Sequence, residues 1–249
     1  MGMMNRVGLL VGTALLSVVL AAVAVACGGG GDEGTVSPSP GGTVSPSPGA
    51  TGTPSAVEEQ LKRMVLQLSD LPAGFSTEEG TFSTNEDVAS AAADPQAELA
   101  TLTEWGRISG HNAIFSPDPN ATNQAGVFIV ESTVSLYDND TGAAASFADA
   151  VDTARTTDWQ ATITQASGLK VEELPSLDVA DEMLWFRISG TAPIGEAGTE
   201  QAFVEDMALL RVGRGRGSVA MASAGGDAAN QLMESLIRIQ AANIEAGLR

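Results

Sequence analysis

Four groups of residues in this 249-residue chain have types and spacings that could do chemistry. His111, in Gly110-His111-Asn112, is the sole histidine, and a Ser-His-Asp triad would have to use it as base. The chain has no G-x-S-x-G elbow to supply the nucleophile. The ring also sits in a strand-like run, so His111 reads as a structural or edge histidine. Ser167-Gly168-Leu169-Lys170 has the S-x-x-K spacing of a serine nucleophile and its lysine. That chemistry needs a helix-borne serine and a K-T-G strand, and here Lys170-Val171-Glu172 opens a strand and K-T-G is absent. The match is coincidental. Asp138-Asn139-Asp140-Thr141-Gly142 resembles the start of a calcium loop, but Ala143 and Asp149 stand where the loop needs glycine and a bidentate glutamate. A strand-to-helix turn capped by Asp140 or Thr141 is the simpler reading, with loose calcium binding by neighbouring acids left open. Arg211, Arg214 and Arg216, alternating with glycines, form the one basic spot of the domain. Guanidinium and backbone N–H groups there could hold an anion. The same glycines equally make a hairpin turn, and the spacing is not that of a dinucleotide loop. No catalytic, metal-ligating or cofactor-binding set emerges, and no cofactor is expected.

The only cysteine is Cys27, which excludes an internal disulfide. It closes a segment with the order of a secretory signal: Arg6 near the start, twenty uncharged residues from Val7 to Ala26, then small residues around the cysteine. Ala24-Val25-Ala26-Cys27 resembles a bacterial lipoprotein lipobox. The resemblance implies cleavage before Cys27 and a thiol acylated with diacylglycerol, so that lipid on Cys27 ties the protein to the cell membrane. An uncleaved transmembrane anchor and simple secretion are the alternatives, since about 20 apolar residues suffice to span a bilayer. Anchored or secreted, the rest of the chain is expected on the extracytoplasmic side.

After the cysteine, Thr35-Val36-Ser37-Pro38-Ser39-Pro40-Gly41-Gly42 recurs as Thr43 to Ala50 with one change. Such sequence has almost nothing apolar to bury and cannot offset its ordering entropy. Residues 28–55 are therefore expected to act as a disordered stalk, reaching on the order of 30 Å as a coil and about 87 Å as extended polyproline II. The domain division is 1–26 signal peptide, 27–55 acylated cysteine and stalk, and 56–249 one folded domain. All eleven aromatic residues lie in that last part.

Loss of Arg6 would leave 11 basic against 31 acidic residues, a charge of −20. Phosphate backbones repel such a surface, so nucleic acid is not an expected partner. The expected partners are the membrane, through lipid, and an unidentified envelope protein or small ligand.

The elements that would position any site can be read from periodicity. Ser55 and Glu58 form a capping box for a helix carrying Val57, Leu61, Met64 and Leu68, expected to stop near Ser69. Asp94-Pro95 opens a second helix with Leu99 and Leu102 turned inward. Strands are expected at 107–116, 126–137, 169–174, 183–190, 201–212 and 217–224, with Phe128, Val130, Val134 and Leu136 on one face of the second. Pro117-Asp118-Pro119-Asn120 supplies turn chemistry between the first two strands. A helix from Thr141 to about Thr157 and another over 227–246 complete the set, the last with a stripe of Leu232, Met233, Leu236, Ile237, Ala241 and Ile244. Neighbouring strands joined by short turns favour an α+β fold. An antiparallel sheet of about six strands would then be packed by helices, including a long C-terminal one.

Asp70-Leu71-Pro72-Ala73-Gly74-Phe75 after a short helix, the Leu136-Tyr137 strand feeding the Ala-rich Thr141 helix, and the Leu210-Arg211 strand turning through glycines resemble ectodomains of actinobacterial-type envelope lipoproteins and sensor proteins. The resemblance spans most of 56–249. It implies an antiparallel α/β domain of the PsbP-like kind used for binding rather than catalysis, and it transfers no functional residue. The expected function is a non-enzymatic binding or envelope-interaction domain. The alternatives are a structural surface protein and a carboxylate-based hydrolase, which a cleft with two facing carboxyls of raised pKa would favour.

Overall fold

A computed structural model describes residues 55–78, 80–118, 126–194 and 199–249. Cys27, the signal segment, the stalk up to residue 54, and Pro119 and Asn120 of the expected turn lie outside the described residues.

Helix α1 (Ala56–Met64) starts as its capping box requires: the Glu58 N–H donates to Ser55 Oγ and the Ser55 N–H to Glu58 Oε2. It ends sooner than expected, at Val65, because its last carbonyls find partners elsewhere. Gln240 Nε2 donates to the Met64 carbonyl and Asn243 Nδ2 to that of Val65, while the Leu66 N–H donates to Ser132 Oγ. Tertiary bonds thus take the place of another helical turn.

The sheet contains β1 (Phe75–Thr77), β2 (Phe82–Ser83), β3 (Arg107–Pro117), β4 (Val127–Tyr137), β5 (Ser167–Leu174), β6 (Glu182–Ile194), β7 (Thr199–Val212) and β8 (Gly215–Ser223). Its order is β1-β3-β4-β8-β7-β6-β5, with β2 also pairing β3, and all pairings are antiparallel. The expected α+β antiparallel architecture is present. The six anticipated strands are joined by β1 and β2, pieces of three and two residues too short to show a period.

Helices α2 (Asn85–Ser90), α3 (Pro95–Glu104), α4 (Asp140–Thr156), α5 (Trp159–Thr162) and α6 (Asp227–Leu248) cover the sheet. One core lies beneath α1 and α6 and joins Leu61, Met64, Phe115, Val130, Leu210, Met221 and Leu236. The second lies beneath α4 and α5 and joins Ile129, Phe147, Trp159, Phe186, Ile188, Met207 and Ala220. Residues 208–210 are consecutive and all buried, as a strand covered on both faces demands.

Two local expectations are corrected. In β4 a bulge between Val127 and Ile129 shifts the alternation, so Val127, and not Phe128, shares the core of Val130, Val134 and Leu136. At the start of α4 the cap is Asn139, whose side chain accepts from the Gly142 N–H at 2.9 Å, and not Asp140 or Thr141. Asp140 falls instead in the first turn, where its charge meets the positive helix end.

Candidate functional site: a polar cavity under α3

A cavity of about 340 Å³ lies where α3 crosses the α4 face of the sheet. Its sheet wall is built by alternation. Asn112 of β3, Glu131, Thr133, Ser135 and Tyr137 of β4, and Arg216 and Ser218 of β8 reach it, while their neighbours Ala113, Val130, Leu136 and Val219 enter the opposite core. Glu98 and Leu102 of α3, with Trp105 just beyond, form the roof, and Ser146 of α4 closes one side. Met207 and Leu209 of β7 add an apolar patch.

Two glycines let these walls approach. A Cβ on Gly142 would stand 1.8 Å from the Trp105 carbonyl oxygen, so the start of α4 can dock on the end of α3 only with glycine there. A Cβ on Gly110 would come within 2.4 Å of Arg107 Nη2, and its absence leaves the space that the guanidinium fills.

The cavity carries opposed charges. Glu98 is 1% exposed, yet neither carboxylate oxygen has a hydrogen-bond partner among the described residues. Loss of solvation raises its pKa, Asp149 adds to the rise, and Arg216 and Arg107 oppose it. Arg107 is fixed on several sides. Its Nε donates to Ser135 Oγ at 3.2 Å, Nη1 to Asn85 Oδ1 at 3.0 Å and to the Ser83 carbonyl, and Nη2 to Ser83 Oγ at 2.8 Å. Arg216 donates through Nη1 to the carbonyl and hydroxyl of Ser146, at 3.0 and 2.6 Å, and that hydroxyl also bonds Tyr137 Oη. Burial pushes Glu131 up to about 7, against a hydrogen bond from Asn112 that favours the ionised form. Thr133 and Ser218 pair their hydroxyls at 2.6 Å on the same wall. The site therefore presents an orphan carboxylate, two guanidiniums and a belt of hydroxyls around a half-open cavity.

The residues singled out by sequence are dispersed. His111 is buried in β3, stacked on Phe82 at 4.3 Å between ring centroids, with Nδ1 3.0 Å from the Thr81 carbonyl. Burial lowers its pKa and Lys62 adds to the fall, against the hydrogen bond to Thr81. The ring is a packing element beside Phe82 on the face that its register partner Val134 shares with the α1 and α6 core. Ser167 and Lys170 both lie in β5, where Ser167 bonds Thr191 across to β6. Among the described residues no three His, Cys, Asp or Glu side chains gather to hold a metal. The three arginines do not converge. Arg211 is paired with Glu182 and Asp181, Arg214 donates to the Tyr137 carbonyl at 3.0 Å, and only Arg216 borders the cavity. Glu98 is not a residue that hydropathy selects, because the neighbouring Leu99 competes for the inward position of α3. A signal exists all the same: Glu98, Leu102 and Trp105 are spaced by four and three, one helical stripe headed by an acid.

No known protein-family profile matches the sequence, and no curated protein matches it. Among solved structures, the chain is similar to the extracellular domain of PknH from Mycobacterium tuberculosis, at 13% identity and a TM-score of 0.44, over 76% of this chain and 97% of that one.

Proposed function

We propose that this protein is a lipid-anchored extracytoplasmic binding module that holds a small polar molecule in the cavity between α3 and strands β3, β4 and β8. The observation that carries this reading is Glu98. A buried polar group without a partner costs about 1–3 kcal/mol, more when charged, and proteins seldom leave one so. A carboxylate kept orphaned at the wall of a roomy cavity is explained when something other than the protein completes it. The space is within the range of small-ligand pockets, and apolar and polar walls are both present. Anchoring through Cys27 and display on the 28–55 stalk are the part of the proposal that rests on sequence alone.

Native mass spectrometry of the full chain from its native source tests the reading. The expected spectrum contains an adduct released intact by mild activation, and the Ser218→Trp variant, whose indole would fill the cavity, lacks it. A bare mass in both proteins contradicts it.

A carboxylate-based hydrolase is the second reading, favoured by Glu98 and Glu131 bordering one cavity with raised pKa. Acid–base pairs work when their surroundings push the two pKa values apart. Here burial moves both in the same direction, which suits a binding wall better than an acid and base in relay. Split products instead of an intact adduct would reverse that ranking.

A further inference from the structure

We propose that the cavity takes a small zwitterion of amino-acid type, with its ammonium group on Glu98 and its anionic group on Arg216. This rests on the cavity being a binding site, as read above, and adds the chemical class of the ligand.

The acid and the bases of the cavity attract one another but do not touch. Both oxygens of Glu98 lack a hydrogen-bond partner among the described residues, although Arg107 and Arg216 are close enough to favour its ionised form. Arg107 cannot swing across to Glu98 without giving up Ser83, Asn85 and Ser135. Arg216 bonds through Nη1 alone among the described residues, so Nε and Nη2 remain to meet a ligand. Ser146, which accepts that bond, is itself held by Tyr137, so the guanidinium is anchored at one corner and presented at the other.

A single charge fits this wall poorly. A plain amine would satisfy Glu98 and meet the field of two guanidiniums, while a plain anion would bond Arg216 and face the orphan carboxylate. A molecule carrying both charges lies head to tail between them, so that each end meets its opposite in a site where low dielectric strengthens the match. A neutral polyol could satisfy the hydroxyl belt of Thr133, Ser135 and Ser218, but it leaves the separated charges uncompensated. Leu102, Trp105 and Met207 supply an apolar wall for a side chain, and about 340 Å³ suits a single amino acid or a molecule of similar bulk.

Isothermal titration of the detergent-solubilised full chain decides the matter, using the common α-amino acids and 4-aminobutyrate, with n-butylamine, butyrate and glucose as single-function probes. The expected result is binding of at least one zwitterion, with each single-function probe at least 10-fold weaker. Glu98→Gln and Arg216→Met should each lose 10-fold or more of that affinity. Glu98→Asp, which keeps the charge and withdraws it by one methylene, should retain part of it and guards against misfolding of the first variant. Glucose or a single-charge probe binding as tightly as every zwitterion overturns the inference and leaves the binding-site reading standing. The inference fails in the same way if no probe binds while the native protein carries an adduct. Undiminished zwitterion binding by Glu98→Gln also overturns it. A bare native mass together with silence from every probe overturns both readings.

Discussion

Glu205 of β7 faces the α4 side of the sheet at 3% exposure, one strand away from Glu131, with Ala220 and Ala222 of β8 between them. The small alanines leave room for both carboxyls, and one oxygen of Glu205 has no partner among the described residues. Burial pushes Glu205 up to about 8, with Glu131 and then Asp206 adding like charge. In the unfolded chain the same group titrates near the ordinary glutamate value. The folded state therefore binds the extra proton between about pH 4.5 and 8, and stability contributed by neutral Glu205 is complete below that window and lost as pH rises through it. Glu131, raised to about 7, acts in the same sense. Urea unfolding at pH 5, 7 and 9 should show falling midpoints, and Glu205→Gln should flatten the decline; a wild-type midpoint that rises over this range contradicts the assignment. Glu98→Leu carries a related expectation. Removing an unpartnered buried carboxylate should stabilise the ligand-free protein by about 1–3 kcal/mol, read as a higher melting temperature at pH 7. A lower one would mean that Glu98 holds the fold together. None of this was legible from sequence, because 31 acids spread along the chain give no sign of which ones face inward.

Among the elements, α6 was the most legible and α3 the least. Of the expected stripe, Met233, Leu236, Ile237, Ala241 and Ile244 are buried as their spacing demands, Leu232 is half-buried at its edge, and Gln231, Glu234, Arg238 and Glu245 are exposed. A long apolar face leaves one solution. Leu236→Ala should cost about 2–5 kcal/mol by the cavity it opens, measured by denaturant unfolding; a change within error would place the stripe outside the core. Helix α3 is short, with only two leucines in its ten residues, and either Glu98 or Leu99 can face inward on local pattern alone. Its docking decides. The Trp105 carbonyl must meet the bare backbone of Gly142, and that contact between elements some forty residues apart leaves no local mark. Gly142→Ala tests the contact. Its Cβ would collide with backbone, which cannot swing aside, so the melting temperature should fall sharply, and an unchanged value would remove the proposed docking of α3 on α4.

At the scale of the whole molecule, the sheet's antiparallel order was legible in the succession of strands joined by short turns. The neighbouring of β4 and β8 was not, because α4, α5 and three strands intervene between them in sequence. That long-range pairing is what brings Arg216 to the wall that Glu131 and Thr133 share, so the cavity is a product of topology and not of any motif. The lipid anchor is a separate proposition, resting on one thiol. Cys27→Ala should leave the precursor uncut or release the protein from the detergent phase on partitioning, whereas normal processing and partitioning would exclude acylation there. The central claim is that Glu98 is completed by a bound molecule. A crystal structure of the full chain isolated from its native source, at a resolution that shows ordered water, tests it most directly. The predicted result is continuous non-protein density bridging Glu98 and Arg216 beneath α3. A cavity collapsed around a direct Glu98–Arg216 or Glu98–Arg107 ion pair, with nothing between them, would contradict it.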